Sequence, residues 1–127
     1  MSAEPAAIVR LVADADGDSH FVTGEMTMTS RDFAPPAAPL DVSEAAPASA
    51  VIYWRAPSGW DGQLHPSPAK QWVYVLTGSL EIEASNGTTR RLEPGDGVLL
   101  EDVTGAGHIS RIVSDTPAFG MFVQVPD

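Results

Sequence analysis

The stretch that decides the fold of this chain is Gly59–Gly78, which reads GWDGQLHPSPAKQWVYVLTG. It begins as a loop that contains His65 and ends in an alternating, strand-like segment, Gln71–Leu76. Further along the chain, the run Gly105–His108 places a second histidine at the start of another predicted strand. Because a hairpin can bring such strand ends together, we expect His65 and His108 to be neighbours. Neutral imidazole is the commonest protein ligand for a transition metal, so the pair predicts a polar site at which a metal is one candidate occupant.

The composition is that of a folded, acidic domain. The chain has 127 residues, of which 43% are hydrophobic, and this length is typical of one domain with a single core. Its 17 acidic residues outnumber its 7 basic ones and give a formal net charge of −10. Nucleic acids and anionic membrane surfaces bind clustered Lys and Arg, and the only adjacent basic pair is Arg90-Arg91. Neither class of partner is therefore expected.

The sequence carries no signal for export or for thiol chemistry. It contains no cysteine, which excludes disulfides, thiolate metal sites and cysteine nucleophiles. Residues 1–20 lack the basic start and the apolar run of a secretory signal. No apolar stretch approaches the roughly 18 residues that a membrane-spanning helix needs. We therefore expect a cytoplasmic protein.

Short alternating segments, separated by turn residues, make up most of the chain. They predict an all-β sandwich or barrel, with strands at Ala7–Val12, Phe21–Thr29, Ala50–Arg55, Gln71–Leu76, Leu80–Ala84, Thr88–Leu92, Gly97–Val103, His108–Val113 and Ala118–Val125. Asp32–Ser49 is rich in Ala and Pro, and it predicts an irregular arm that lies over the domain or a partner subunit. We expect residues 1–127 to form one domain. Residues 51–125 would be its barrel core, and residues 1–50 its N-terminal strands and arm.

Strand parity predicts which side chains point into the barrel. If Gln71 points inward, Val73 and Val75 do so too, because alternate side chains of a strand share a face. His108 heads the inward row of a later strand in the same way. Each row then opens with a polar residue and continues with apolar ones, as a site in the mouth of a barrel requires. The loop before Gln71 would supply His65 to this site.

The spacing of Gly59, His65 and Gly78 matches a known motif. That motif reads glycine, five residues, His-x-His, three or four residues, glutamate, six residues and glycine. Ser67 stands where the second histidine belongs, and Gln71 stands where the glutamate belongs. The segment resembles the first motif of the cupin superfamily.

A second segment resembles the other cupin motif, which reads glycine, five residues and Pro-x-Gly-x-x-His. Gly97, Gly105 and His108 match this spacing. Val103 replaces the proline, and Ile112 replaces the asparagine that often follows the histidine. The resemblance covers about residues 51–125. It implies a cupin-type double-stranded β-helix, also called a jelly-roll barrel.

The resemblance also implies a metal site. A typical cupin site offers three histidines and one carboxylate to Fe, Mn, Zn, Ni or Cu. This chain keeps His65 and His108, to which Gln71 would add an oxygen ligand, and so few donors should bind a divalent metal more weakly. One hypothesis is a metal-dependent activity, oxygenase- or isomerase-like, on a small organic molecule. The alternative is a metal-free cupin that binds or senses a small molecule without catalysis.

Five further residues are candidates for the same pocket. His20 supplies the one remaining imidazole, and Trp60 is expected at the rim. Gln63 and Ser67 lie within two residues of the first histidine, and Asp102 offers a carboxylate if it shares the inward face of its strand. We also expect a homodimer with one pocket per barrel, in which some aromatic residues of the strands lie at the subunit interface.

Overall fold

The computed structural model describes residues 2–126, and all the regular structure in that range is β-strand. The strands are β1 (Ser2–Ala13), β2 (Ser19–Arg31), β3 (Leu40–Val42), β4 (Ala50–Ala56), β5 (Gln71–Thr77), β6 (Leu80–Ala84), β7 (Thr89–Leu92), β8 (Gly97–Leu100), β9 (His108–Ile112) and β10 (Ala118–Gln124). The prediction of an all-β fold is confirmed. Within the described range, no helix is long and apolar enough to cross a membrane.

Two sheets enclose one hydrophobic core. Seven strands form the larger sheet, in the order β3-β2-β1-β8-β5-β10-β4, and three form the smaller sheet, in the order β7-β6-β9. Neighbouring strands run antiparallel, except that β1 and β8 are parallel. Leu11 and Val75 of the larger sheet and Ile82 of the smaller one are all 0% exposed. Apolar side chains from both sheets thus meet in a single layer, as in other two-sheet domains.

Strand parity follows the prediction in the strands that carry the candidate site. In β5, Gln71, Val73 and Val75 are buried, whereas the side chains between them are more exposed. In β6, Leu80 and Ile82 are buried, and glutamates alternate with them. Burying an aliphatic side chain of this size stabilises the fold by about 1.5–3 kcal/mol, and a one-residue slip would expose the whole row. The register therefore keeps Gln71 on the inner face.

The N-terminal strands are part of the main sheet. β1 lies between β2 and β8, and its Leu11 belongs to the core. The barrel core therefore extends beyond residues 51–125, to which the sequence had assigned it. The Pro/Ala-rich arm is exposed along nearly its whole length. It is not wholly irregular, because β3 lies within it and pairs with the end of β2.

The outer face of the larger sheet, meaning the side away from the core, carries aromatic side chains. Trp72 stacks on Tyr74 with 5.6 Å between the ring centroids. Tyr53 stacks on Phe119 at 5.9 Å and is itself 63% exposed. Val51 is also exposed on this face. Apolar surface of this kind, grouped on one face, marks a candidate interaction surface.

Candidate functional site

A cavity of about 440 Å³ opens between the two sheets. Its walls are mainly apolar and come from both sheets, among them Ile52, Trp54, Val73, Ile82, Leu100 and Phe122. The polar residues that line it are His65, Ser67, Gln71, His108, Ser110 and Gln124, with Arg55 as a charged one. Small-molecule pockets usually have this form, a concave apolar surface with a few polar groups, and volumes of roughly 300–1,000 Å³.

The loop before β5 places His65 beside His108. The two residues form an isolated antiparallel bridge, in which each backbone N–H donates to the carbonyl oxygen of the other, at 3.1 and 2.9 Å. Their imidazole rings are 5.3 Å apart between centroids and inclined by 45°. The structure thus brings the two histidines together, as the sequence predicted.

Gly107 permits this close approach of two backbones. Its φ is +83°, and a Cβ built on it would lie 2.0 Å from the carbonyl oxygen of His65. A real Cβ could not occupy that space, so any other residue would push the loop away from β9. Glycine alone combines the left-handed conformation with the missing side chain. The His65–His108 bridge therefore depends on Gly107.

Both imidazoles are hydrogen-bonded to the protein through Nδ1. The Nδ1 atom of His65 lies 2.6 Å from the carbonyl oxygen of Gln63. The Nδ1 atom of His108 lies 2.6 Å from Oδ2 of Asp102. Since a carbonyl oxygen and a carboxylate oxygen accept hydrogen bonds, Nδ1 is the protonated nitrogen in each ring. In the neutral imidazole this leaves Nε2 with a free lone pair.

Asp102 supports His108 from behind and does not line the cavity. Its side chain is 0% exposed, and that of His108 is only 4% exposed. Its Oδ1 has no hydrogen-bond partner within the described residues. A buried carboxylate is costly unless it is paired, so the contact with His108 is its main compensation. The carboxylate that the sequence offered to the pocket thus orients an imidazole instead.

Gln71 and Ser67 both line the cavity, but each is engaged with the protein. Oε1 of Gln71 accepts a hydrogen bond from Nε2 of Gln124 at 3.1 Å. Oγ of Ser67 donates to the carbonyl oxygen of Ala69 at 2.7 Å. The two positions at which the cupin motif carries a glutamate and a second histidine are therefore occupied by neutral groups with partners of their own.

The remaining candidates divide between the cavity and other surfaces. Trp60 lines the cavity and is 42% exposed, which fits a residue at the rim. Gln63 contributes its carbonyl oxygen to His65, and its side chain is not part of the lining. His20 lies on β2, where its Nδ1 is 3.7 Å from a carboxylate oxygen of Asp14, and it does not join the cavity.

Sequence reasoning did not single out two polar residues of the lining. Ser110 lies two residues after His108 and on the same face of β9, a position that parity alone assigns to the interior. Gln124 lies two residues after Phe122 on the same face of β10, and it faces Gln71 across the β5–β10 ladder. Strand parity places both residues inward, whereas the contact between Gln124 and Gln71 depends on how β5 and β10 pair.

The side chains present do not fit the metal centre of a typical cupin. Among the described residues, no group of three or more His, Cys, Asp or Glu side chains is placed to hold a metal ion. The cavity offers two imidazoles and an amide oxygen that already accepts a hydrogen bond. Catalytic metal sites commonly use three protein ligands, often with a carboxylate. This donor set falls short of that requirement.

Comparisons with known proteins support the fold. No protein-family model matches the chain, and a search of curated proteins finds no match. Among solved structures, the chain is similar to the Cnp3 cupin domain of Schizosaccharomyces pombe, with 15% identity over 95% of this chain and 88% of that one, and a TM-score of 0.54. A TM-score above 0.5 over almost the whole of both chains indicates the same architecture, whereas 15% identity says nothing about function.

Two other solved structures match less well. One is the Cupin_2 domain of an XRE-family transcriptional regulator from Enterobacter cloacae, at 19% identity over 96% of this chain and 99% of that one, with a TM-score of 0.36. The other is a conserved protein of unknown function from Streptococcus pyogenes, at 20% identity over 61% of this chain, with a TM-score of 0.44. The match spans 64% of the length of the streptococcal protein. With its two sheets, its motif spacing and the similarity to the Cnp3 domain, the chain has the cupin fold.

Proposed function

We propose that this chain is a binding cupin, which holds a small, largely apolar organic molecule in its cavity without a metal ion. The observation that carries the proposal is the cavity itself. It has about 440 Å³ of space between apolar walls, and a pair of imidazoles at one place in its lining. Apolar walls provide affinity through the hydrophobic effect, and the few polar groups fix the orientation of the ligand.

The state of the polar groups supports binding over catalysis. The Asp102 carboxylate is directed at His108 and is not part of the lining, and Gln71 is paired with Gln124. No cysteine is present, and Ser67 donates its hydroxyl proton to a backbone carbonyl. What the lining presents to a ligand is therefore a set of fixed hydrogen-bonding groups.

A ligand screen by thermal unfolding tests the proposal. Protein dialysed against EDTA is heated with a panel of small apolar and half-polar molecules, and a ligand present at 100 times its dissociation constant should stabilise the fold by about 2.7 kcal/mol. His65→Ala should weaken that stabilisation, because it removes a cavity imidazole from an exposed loop position. His20→Ala is the matched control, since His20 lies outside the cavity.

Two outcomes would contradict the proposal. One is a panel in which no molecule stabilises the chelated protein. The other is a ligand whose effect His20→Ala removes as completely as His65→Ala does, because such a ligand would bind elsewhere.

A metal-dependent activity is the second candidate. One observation favours it: the Nδ1 atoms of His65 and His108 both donate to the protein, which is how metal-ligating histidines are usually oriented. Elemental analysis of untagged protein separates the two candidates. Near-stoichiometric transition metal in the wild-type chain, lost in both His65→Ala and His108→Ala, would overturn the metal-free proposal. It would then favour the oxygenase- or isomerase-like activity that the resemblance implies.

A further inference from the structure

The two cavity histidines are oriented to accept hydrogen bonds. His65 donates its Nδ1–H to the carbonyl oxygen of Gln63, and His108 donates its Nδ1–H to Asp102, each at 2.6 Å. Neither Nε2 is hydrogen-bonded to a described residue, and both rings line the cavity. A neutral imidazole protonated on Nδ1 can only accept through Nε2. The ligand group that meets this pair must therefore be a donor.

The walls around the pair restrict the rest of the ligand. Trp54, Phe122 and Trp60 contribute aromatic surface, and aliphatic side chains of both sheets complete the lining. Trp54 and Phe122 lie 6.1 Å apart between ring centroids and are inclined by 38°. Aromatic side chains pack well against the face or edge of another ring. A flat aromatic body fits such walls better than a sugar or a flexible polar chain.

The charges around the cavity argue against an anion. The guanidinium of Arg55 lies over the ring of Phe119 on the outer face, 5.8 Å from its centroid. Arg55 is the one Lys or Arg residue in the described lining, and its guanidinium is directed at Phe119 and away from the cavity histidines. The whole chain has a formal net charge of −10, which repels anions at long range. Burying an ionised group without a close partner is also costly. A neutral ligand is therefore favoured.

We propose that the cavity selects neutral aromatic alcohols, whose hydroxyl donates a hydrogen bond to Nε2 of His65 or His108 while the ring packs against the wall formed by Trp54 and Phe122. This inference rests on the proposed metal-free binding function and names the class of ligand for it. Discrimination follows from the donor. An analogue without the O–H removes an imidazole nitrogen from solvent but offers it no hydrogen-bond donor. The cost of that unsatisfied nitrogen is greater than the small net gain of a typical hydrogen bond.

Three probes that share one ring system test the selection. Isothermal titration of EDTA-treated protein is carried out with 2-naphthol, with 2-methoxynaphthalene and with 2-naphthoate. The methyl ether keeps the oxygen and removes the donor, and the naphthoate adds a negative charge. We expect 2-naphthol to bind about tenfold more tightly than the ether, the ratio that one well-made hydrogen bond provides. We expect the naphthoate to be the weakest of the three.

Two cavity variants and an NMR spectrum test whether the ligand hydroxyl contacts the imidazoles. The preference for 2-naphthol over its ether should disappear in His65→Ala or in His108→Gln and persist in His20→Ala. If either cavity variant fails to fold, long-range ¹H–¹⁵N NMR of the wild-type imidazoles at pH 8 still decides the point. It should show both rings protonated on Nδ1 and should show Nε2 of at least one ring shifting when 2-naphthol is added.

The possible outcomes distinguish a failure of the alcohol selectivity from a failure of the proposed binding function. Equal binding of 2-naphthol and its ether, or tighter binding of the naphthoate, would overturn the selection of alcohols and leave a binding cavity in place. Imidazoles protonated on Nε2, or 2-naphthol that does not bind up to its solubility limit, would also overturn the selection. Failure of the wider ligand panel is what would overturn the proposed function.

Discussion

Asp102→Ala is expected to destabilise the fold strongly, although Asp102 touches no solvent and no cavity. The side chain is 0% exposed, and its Oδ2 is 2.6 Å from Nδ1 of His108, which is itself buried. Removing the carboxylate leaves that N–H without an acceptor, which costs about 1–3 kcal/mol. We therefore expect a loss of about 1–3 kcal/mol in the free energy of unfolding.

The assay is reversible urea denaturation at pH 7, followed by tryptophan fluorescence and supported by thermal unfolding. For a domain of this length, each kcal/mol lowers Tm by about 3–5 °C. Asp102→Asn keeps an acceptor oxygen beside His108 without the charge, so its loss should be smaller. Asp115→Ala is the matched control, because Asp115 is exposed, and it should stay within about 0.5 kcal/mol of the wild type. An Asp102→Ala protein as stable as the control would refute the reasoning that this carboxylate supports His108.

Three further predictions concern other parts of the chain. Gly107→Ala should cost at least about 2 kcal/mol more than Gly59→Ala, since both positions have positive φ but only Gly107 faces a backbone at 2.0 Å; equal losses in urea denaturation would contradict this. The hydroxyl of Ser79 and a neighbouring arginine hold the pKa of Glu93 below its ordinary value of 4.5. The stability that Glu93 contributes should thus be present above pH 4.5 and be lost as the pH falls through the lowered pKa. The free energies of unfolding of Glu93→Gln and the wild type should therefore differ at pH 7 and converge in acid. A difference that stays constant with pH would contradict this. The homodimer expected from the sequence should form through the outer face. Tyr53→Glu should therefore lower the molar mass measured by light scattering from that of a dimer to that of a monomer. A monomeric wild type would contradict the expectation.

Most of the fold could be predicted because its signals are local. Alternation in Gln71–Thr77 is a property of neighbouring residues, and burying one face of the strand is what selects its register. Glycines at 59, 78, 105 and 107 all adopt positive φ, so the turns are also encoded where they occur. The short strand β3 was missed because it lies in a Pro-rich arm and exists only through its pairing with β2.

The site was only partly predictable, because its chemistry depends on contacts between distant segments. The position of His65 beside His108 followed from motif spacing. The positions of Asp102 behind His108 and of Gln124 beside Gln71 did not, since they depend on how a loop and a strand pair. The same limit applies to His20, whose strand lies in the larger sheet but whose side chain is outside the cavity.

The Gly59–Gly78 stretch and the later Gly97–His108 segment by themselves indicated the cupin fold, the inward face of β5 and the two histidines of interest, because glycine spacing and alternation act within a few residues. Tertiary structure alone decided what those histidines can do. The packed fold gives each Nδ1 an acceptor and pairs Gln71 with Gln124. Among the described residues, the cavity lining is left with two acceptor nitrogens and no carboxylate. Hydrogen bonds form between groups that are close in space, and segments distant in the sequence come close only when the sheets pack.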